Sequence, residues 1–97
     1  LAVSAISCWE IATLWRLGRI ELDRDVATWV GRAVAEEPPV SVIGVSREIA
    51  VSAGELGSAF PGDPADRIIF ATAAAQRCAL VTKDRRLRSY SAALTVW

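Results

Sequence analysis

Apolar positions along this chain change their period several times, and each change marks an element. Leu1 to Val3 is short and uniformly apolar, and it reads as the end of a buried strand. Ser4 or Ser7 then caps a helix running to about Leu17, with Gly18 placed to stop it. Ile11, Leu14, Trp15 and Leu17 put apolar side chains on more than one face of that helix, which predicts packing on several sides. Arg19 to Leu22 is a connector. From Asp25 onward, Val26, Trp29, Val30, Ala33 and Val34 recur at helical spacing, until Glu36, Glu37, Pro38 and Pro39 end the pattern. Val40 to Val45 alternates and is β-branched, as a second strand would be. Ser46 caps a third helix with Ile49, Ala50, Ala53 and Leu56 on one face, and Gly57 to Gly62 follows as a loop. Asp63 is an N-cap with Pro64 at the first helical position, so a fourth helix reaches about Arg77. Ala79 to Thr82 reads as a third strand, Arg85 to Tyr90 as a short helical turn, and Leu94 to Trp97 as a last strand. Short strands alternating with helices predict an α/β layer fold with a mostly parallel sheet.

Composition narrows the chemistry. With 97 residues, 53% of them hydrophobic, and no polar tract, the chain suits a single domain over residues 1–97. Its 11 basic and 11 acidic residues cancel, which argues against a strongly basic nucleic-acid binder. Contact with RNA or DNA must then come from a local patch or through a bound metal. The absence of histidine excludes histidine metal sites and Ser/His or Cys/His catalysis. Cys8 and Cys78 read as two buried thiols in a reducing cytosol rather than as a disulfide framework. No apolar run reaches the length of a membrane span, and the start lacks a basic signal-peptide segment, so a cytoplasmic protein without a membrane partner is expected. The sequence has no methionine and opens inside an apolar segment, which reads as a cut through a domain.

Four acids stand out against this background: Glu10, Asp63, Asp66 and Asp84. Glu10 is the only charged side chain between Leu1 and Trp15, Asp63 and Asp66 open the apolar stretch DPADRIIFATAAA, and Asp84 follows the ALVT strand. Carboxylates beside buried surface need a compensating cation or hydrogen-bond donors. In a parallel α/β sheet, ligand sites lie outside the carboxyl ends of the strands. Glu10 falls early in the helix after the first strand, and Asp84 just past a strand end. The helix from Asp66 to Arg77 covers roughly 17 Å at about 1.5 Å per residue. The ALVT strand returns roughly 13 Å at about 3.3 Å per residue. Glu10, Asp66 and Asp84 are thereby expected at one rim. Taken singly, Asp63 is most simply a helix cap, Asp66 a complement to the helix dipole with Arg67 beside it, and Asp84 a turn residue. Oxygen-only donors suit hard cations such as Mg²⁺ or Mn²⁺ and point to metal-dependent phosphodiester hydrolysis. Thr82 reads either as a polar group supporting the site or as an ordinary strand-end residue. Arg85, Arg86 and Arg88 read either as phosphate contacts or as a solvated surface.

On these residues the chain resembles the PIN-domain family, and more narrowly the VapC-type toxins of bacterial toxin–antitoxin pairs. The segments that carry the likeness are VSAISCWEIATLWRLGRIEL, GDPADRIIFATAAAQRCALVTKD and LTVW. The resemblance implies a PIN-like, Rossmann-like three-layer fold. It maps the family's acidic site onto Glu10, Asp66 and Asp84, with Asp63 as a companion acid and Thr82 as the polar residue two before the last aspartate. It implies an endoribonuclease dependent on Mg²⁺ or Mn²⁺, inhibited by a cognate antitoxin, and a homodimer. The family opens with a strand carrying a further aspartate, followed by a helix; here Leu1 corresponds to the second strand. The expectation is therefore a chain without that strand and helix, with two half-sheets and fewer metal ligands. An alternative follows: a catalytically inactive truncated toxin that only binds antitoxin or dimerises, with Trp9, Trp15 and Trp29 either as aromatic anchors or as ordinary core. A phosphoacceptor receiver domain fits less well, because Lys83 adjoins Asp84 in a loop instead of standing on a later strand.

Overall fold

Ser4 ends a strand and begins a helix. The structure, a computed structural model, describes the backbone of residues 1–81, 85–91 and 95–96 and the side chains of residues 1–80, 85 and 89–91. Strand β1 (Ala2–Ser4) runs into helix α1 (Ala5–Arg16), and the buried Ser4 hydroxyl accepts the Ile6 N–H at 3.2 Å. Of the two candidate serines, Ser4 is the cap. At the other end Gly18 adopts φ +72°. Its N–H donates to the Trp15 carbonyl at 3.0 Å, and the Arg19 N–H donates to the Leu14 carbonyl at 2.9 Å. That Schellman pair satisfies two carbonyls the helix leaves open, and its left-handed residue favours glycine.

Helix α2 (Val26–Ala35) is capped by Asp25, whose carboxylate accepts the backbone N–H and the hydroxyl of Thr28. These bonds hold the Asp25 carboxyl below the ordinary carboxylate range. Strand β2 (Ser41–Ile43) pairs in parallel with β1, Ala2 opposite Ser41 and Ser4 opposite Ile43. These elements form one compact unit, Leu1–Gly44. Neither α1 nor α2 has a fully buried residue, so the expectation that α1 is packed on several sides is corrected. Within the unit α1 packs against β1 and α2. Trp9 stays 59% exposed and Trp15 42%, so neither is ordinary core.

The second unit, Val45–Trp97, holds the better core. Ser46 caps α3 (Arg47–Glu55) by accepting the Ile49 N–H at 3.1 Å, and α3 packs on α4 (Pro64–Ala75). Ile49 and Ala53 of α3, Ala65, Phe70 and Ala71 of α4 and Phe60 of the connecting loop are buried, and Leu56 and Leu80 pack on the Phe60–Phe70 pair. The two phenyl rings lie 5.3 Å apart, and Tyr90 of α5 (Arg85–Tyr90) meets both edge-on at 5.1 and 5.6 Å. Edge-to-face contacts of this kind add to the area the rings bury. Strand β3 (Leu80–Val81) pairs in parallel with β4 (Thr95–Val96). Among the described residues the strands thus form two half-sheets, β1–β2 and β3–β4, both parallel as the alternation of elements predicts.

Two details depart from the sequence reading. Cys8 is half-buried and Cys78 exposed, so they are not a pair of core thiols. Helix α4 also ends at Ala75, short of Arg77. The Arg77 N–H donates to the Ala74 carbonyl and the Cys78 N–H to the Ala73 carbonyl, another Schellman pair, with Arg77 itself at φ +53°. An arginine there strains its Cβ against its own backbone. Arg77→Gly should therefore raise the unfolding free energy by about 1 kcal/mol in a urea titration. Arg77 is exposed, so little packing is lost to offset the gain.

Candidate functional site

The start of α4 is built around two aspartates. Pro64 is set for the first helical position because its missing N–H has no partner to lose there. Asp63 precedes it as N-cap and accepts the Asp66 N–H at 2.9 Å. Asp66 answers by accepting the Asp63 N–H through Oδ2 at 3.3 Å, which closes a reciprocal capping box. Asp63 is therefore the helix cap that its position predicts, and it also fixes the side chain of its neighbour acid. The Asp66 carboxylate is half-buried at the positive end of the helix dipole.

Arg67 does not turn toward Asp66. Its Nη1 donates to the Leu56 carbonyl at 2.6 Å and to the Ala53 carbonyl at 3.4 Å, and its Nη2 donates to the Gly57 carbonyl at 3.2 Å. The guanidinium carbon also lies 5.5 Å from the centroid of the Phe60 ring. The arginine closes the C-terminal end of α3, which carries no basic residue in its own last turn. Sequence reasoning missed this role. The signal was there: α3 ends on Glu55, the wrong charge for a helix C-terminus.

The other candidates are distributed as follows. Glu10 stands in the middle of α1, half-buried between the exposed Trp9 and the half-buried Ile11, in the first unit. Thr82 and Asp84 lie outside the described residues, as do the side chains of Arg86 and Arg88. Arg85 opens α5 and is exposed. Asp63 and Asp66 are thus the pair the structure brings together. Within either unit, no three carboxylate or thiol groups gather into a metal cluster among the described residues. The donor chemistry still fits a hard divalent cation: every candidate ligand is a carboxylate, and a carboxylate has more acceptor positions than one capping bond uses.

The sequence that builds this acidic pair matches a known family. A model of the PIN domain matches residues 1–93, and the chain belongs to the PIN-domain family, with its α/β fold. Within that family it groups with the VapC-type toxins: it is 48% identical over 99 residues to the protein named Ribonuclease VapC22 of Mycobacterium tuberculosis, a match covering 100% of this chain and 74% of that protein. No solved structure matches the chain.

Proposed function

We propose that the protein is a metal-dependent endoribonuclease toxin that hydrolyses RNA phosphodiester bonds and is held inactive by a cognate antitoxin. The observation that carries this reading is the Asp66 carboxylate fixed at the start of α4, in the segment that most resembles the family's acidic site. Glu10, Asp66 and Asp84 are the ligands of a divalent ion, Mg²⁺ or Mn²⁺, and Asp63 holds Asp66 by the capping box. When bound, such an ion supplies an acidified water and positive charge at the scissile phosphate. The chain's own residues do the rest. In this reading the three carboxylates supply the negative charge that draws the ion, the Thr82 hydroxyl holds a metal-bound water or the scissile phosphate, and Arg85, Arg86 and Arg88 contact RNA phosphates. A protein of zero formal charge then grips RNA through this local patch. A cytoplasmic location and a homodimer complete the proposal; no helix among the described residues is long and apolar enough to cross a membrane.

The test is cleavage of total RNA with Mg²⁺ or Mn²⁺, stopped by a chelator and restored by fresh Mn²⁺. Metal-independent cleavage, or none, overturns the reading. A second reading, an inactive toxin that binds antitoxin or dimerises, draws on α1, where Trp9, Leu14 and Trp15 are exposed together with Leu17 just beyond. Absence of cleavage with a stable antitoxin complex would favour it.

A further inference from the structure

Gly62 stands against the Asp66 side chain more closely than any other residue type allows. A Cβ on Gly62 would lie 2.5 Å from Asp66 Cβ, 3.0 Å from Asp66 Oδ2 and 2.8 Å from Phe60 Cε1. Neither neighbour yields cheaply. Phe60 is 4% exposed, wedged between Phe70 and Tyr90 with the Arg67 guanidinium over its ring. Asp66 is anchored by its own helix and by the N–H of Asp63. The requirement for glycine here is one of contact, not of backbone conformation: among the glycines only Gly18 has a positive φ. Gly57, in the same loop, has open space where its Cβ would be.

We propose that Gly62 is a positioning residue for the metal-binding carboxylate of Asp66. Its bare α-carbon forms one wall of the carboxylate's seat, while the Asp63 N–H fixes Oδ2. The capping bond holds Oδ2, and the wall limits the rotation of the whole group. A methyl at position 62 pushes the carboxylate off this seat, because the phenyl ring behind the methyl cannot retreat. The proposal rests on the reading of Asp66 as a metal ligand given above, and its test separates the two.

Mn²⁺ alone is titrated calorimetrically into the protein and into Gly62→Ala, Gly57→Ala, Asp66→Ala and Phe70→Leu, beside RNA cleavage and thermal melts. Gly62→Ala should weaken Mn²⁺ binding about tenfold and lower kcat by at least as much, with KM for RNA unchanged. Gly57→Ala should change neither quantity. Phe70→Leu loosens the same core away from Gly62 and should lower Tm while leaving Mn²⁺ affinity alone. Wild-type Mn²⁺ affinity and kcat in Gly62→Ala overturn the proposal, as does an equal loss of affinity in Phe70→Leu. If Asp66→Ala binds Mn²⁺ as tightly as the wild type, the reading of Asp66 fails first and this proposal falls with it. Should Gly62→Ala not fold, adding Phe60→Leu gives the new methyl room on the ring side, and the double variant should bind Mn²⁺ as Phe60→Leu alone does; a further tenfold loss against Phe60→Leu would overturn the proposal.

Discussion

Asp66→Asn should reduce metal-dependent RNA cleavage on the order of a thousandfold while leaving α4 intact. The substitution keeps the shape of the side chain and the cap. An asparagine oxygen can still accept the Asp63 N–H that Asp66 Oδ2 accepts at 3.3 Å, and the residue's own N–H still meets Asp63. What disappears is one negative charge in the proposed all-carboxylate site, and a neutral amide is a poor replacement ligand for a hard cation. The lost charge at the helix N-terminus should lower the thermal midpoint by no more than about 5 °C, so the protein stays folded while the rate collapses. Asp84→Asn should behave in the same way. Asp63→Asn should not, because asparagine caps a helix as well as aspartate and the capping partner is not asked to hold the ion. Cleavage by Asp66→Asn at the wild-type rate would remove Asp66 from the site.

The elements most legible in the sequence were those whose ends are fixed by local chemistry. Ser4, Asp25, Ser46 and Asp63 all cap the helices that follow them, each by the side-chain bond its residue type favours. Gly18 stops α1 for an equally local reason. The end of α4 was less legible because Arg77 holds a left-handed conformation that the sequence signals only when glycine stands there. Burial was harder still. Trp9 and Trp15 carry the largest apolar area in α1, yet whether they face a core depends on what packs on the helix, not on spacing within it. At the candidate site, the sequence singles out the acids as charges in apolar surroundings, and the described structure brings Asp63 and Asp66 together. Their supports are not singled out. Gly62 has no side chain to notice, and Arg67 acts on carbonyls of a helix ten residues or more behind it in the chain.

Arg67 gives the largest stability effect expected from a single polar side chain here. Arg67→Met keeps a long apolar side chain but removes the guanidinium over Phe60 and its bonds to the Ala53, Leu56 and Gly57 carbonyls, leaving Ala53 the Leu56 N–H and Gly57 the Phe60 N–H. Those carbonyls sit at a helix end that has no basic residue of its own in the last turn, so no nearby group replaces the arginine. The contacts are partly exposed and water recovers some of the loss, which leaves a cost of about 2 kcal/mol. In a urea titration the midpoint should fall with an unchanged slope, the mark of a change in stability without a change in exposed surface. Arg67→Lys should recover less than half of the loss, because one ammonium on a flexible stem does not span three carbonyls as a planar fork does. Cleavage measured well below the new Tm decides what kind of residue this is. A preserved rate makes Arg67 the tie that holds α3 to α4 beneath the Asp66 carboxylate. A lost rate at wild-type stability would instead assign its charge to the RNA, and the carbonyl bonds would then be a resting position.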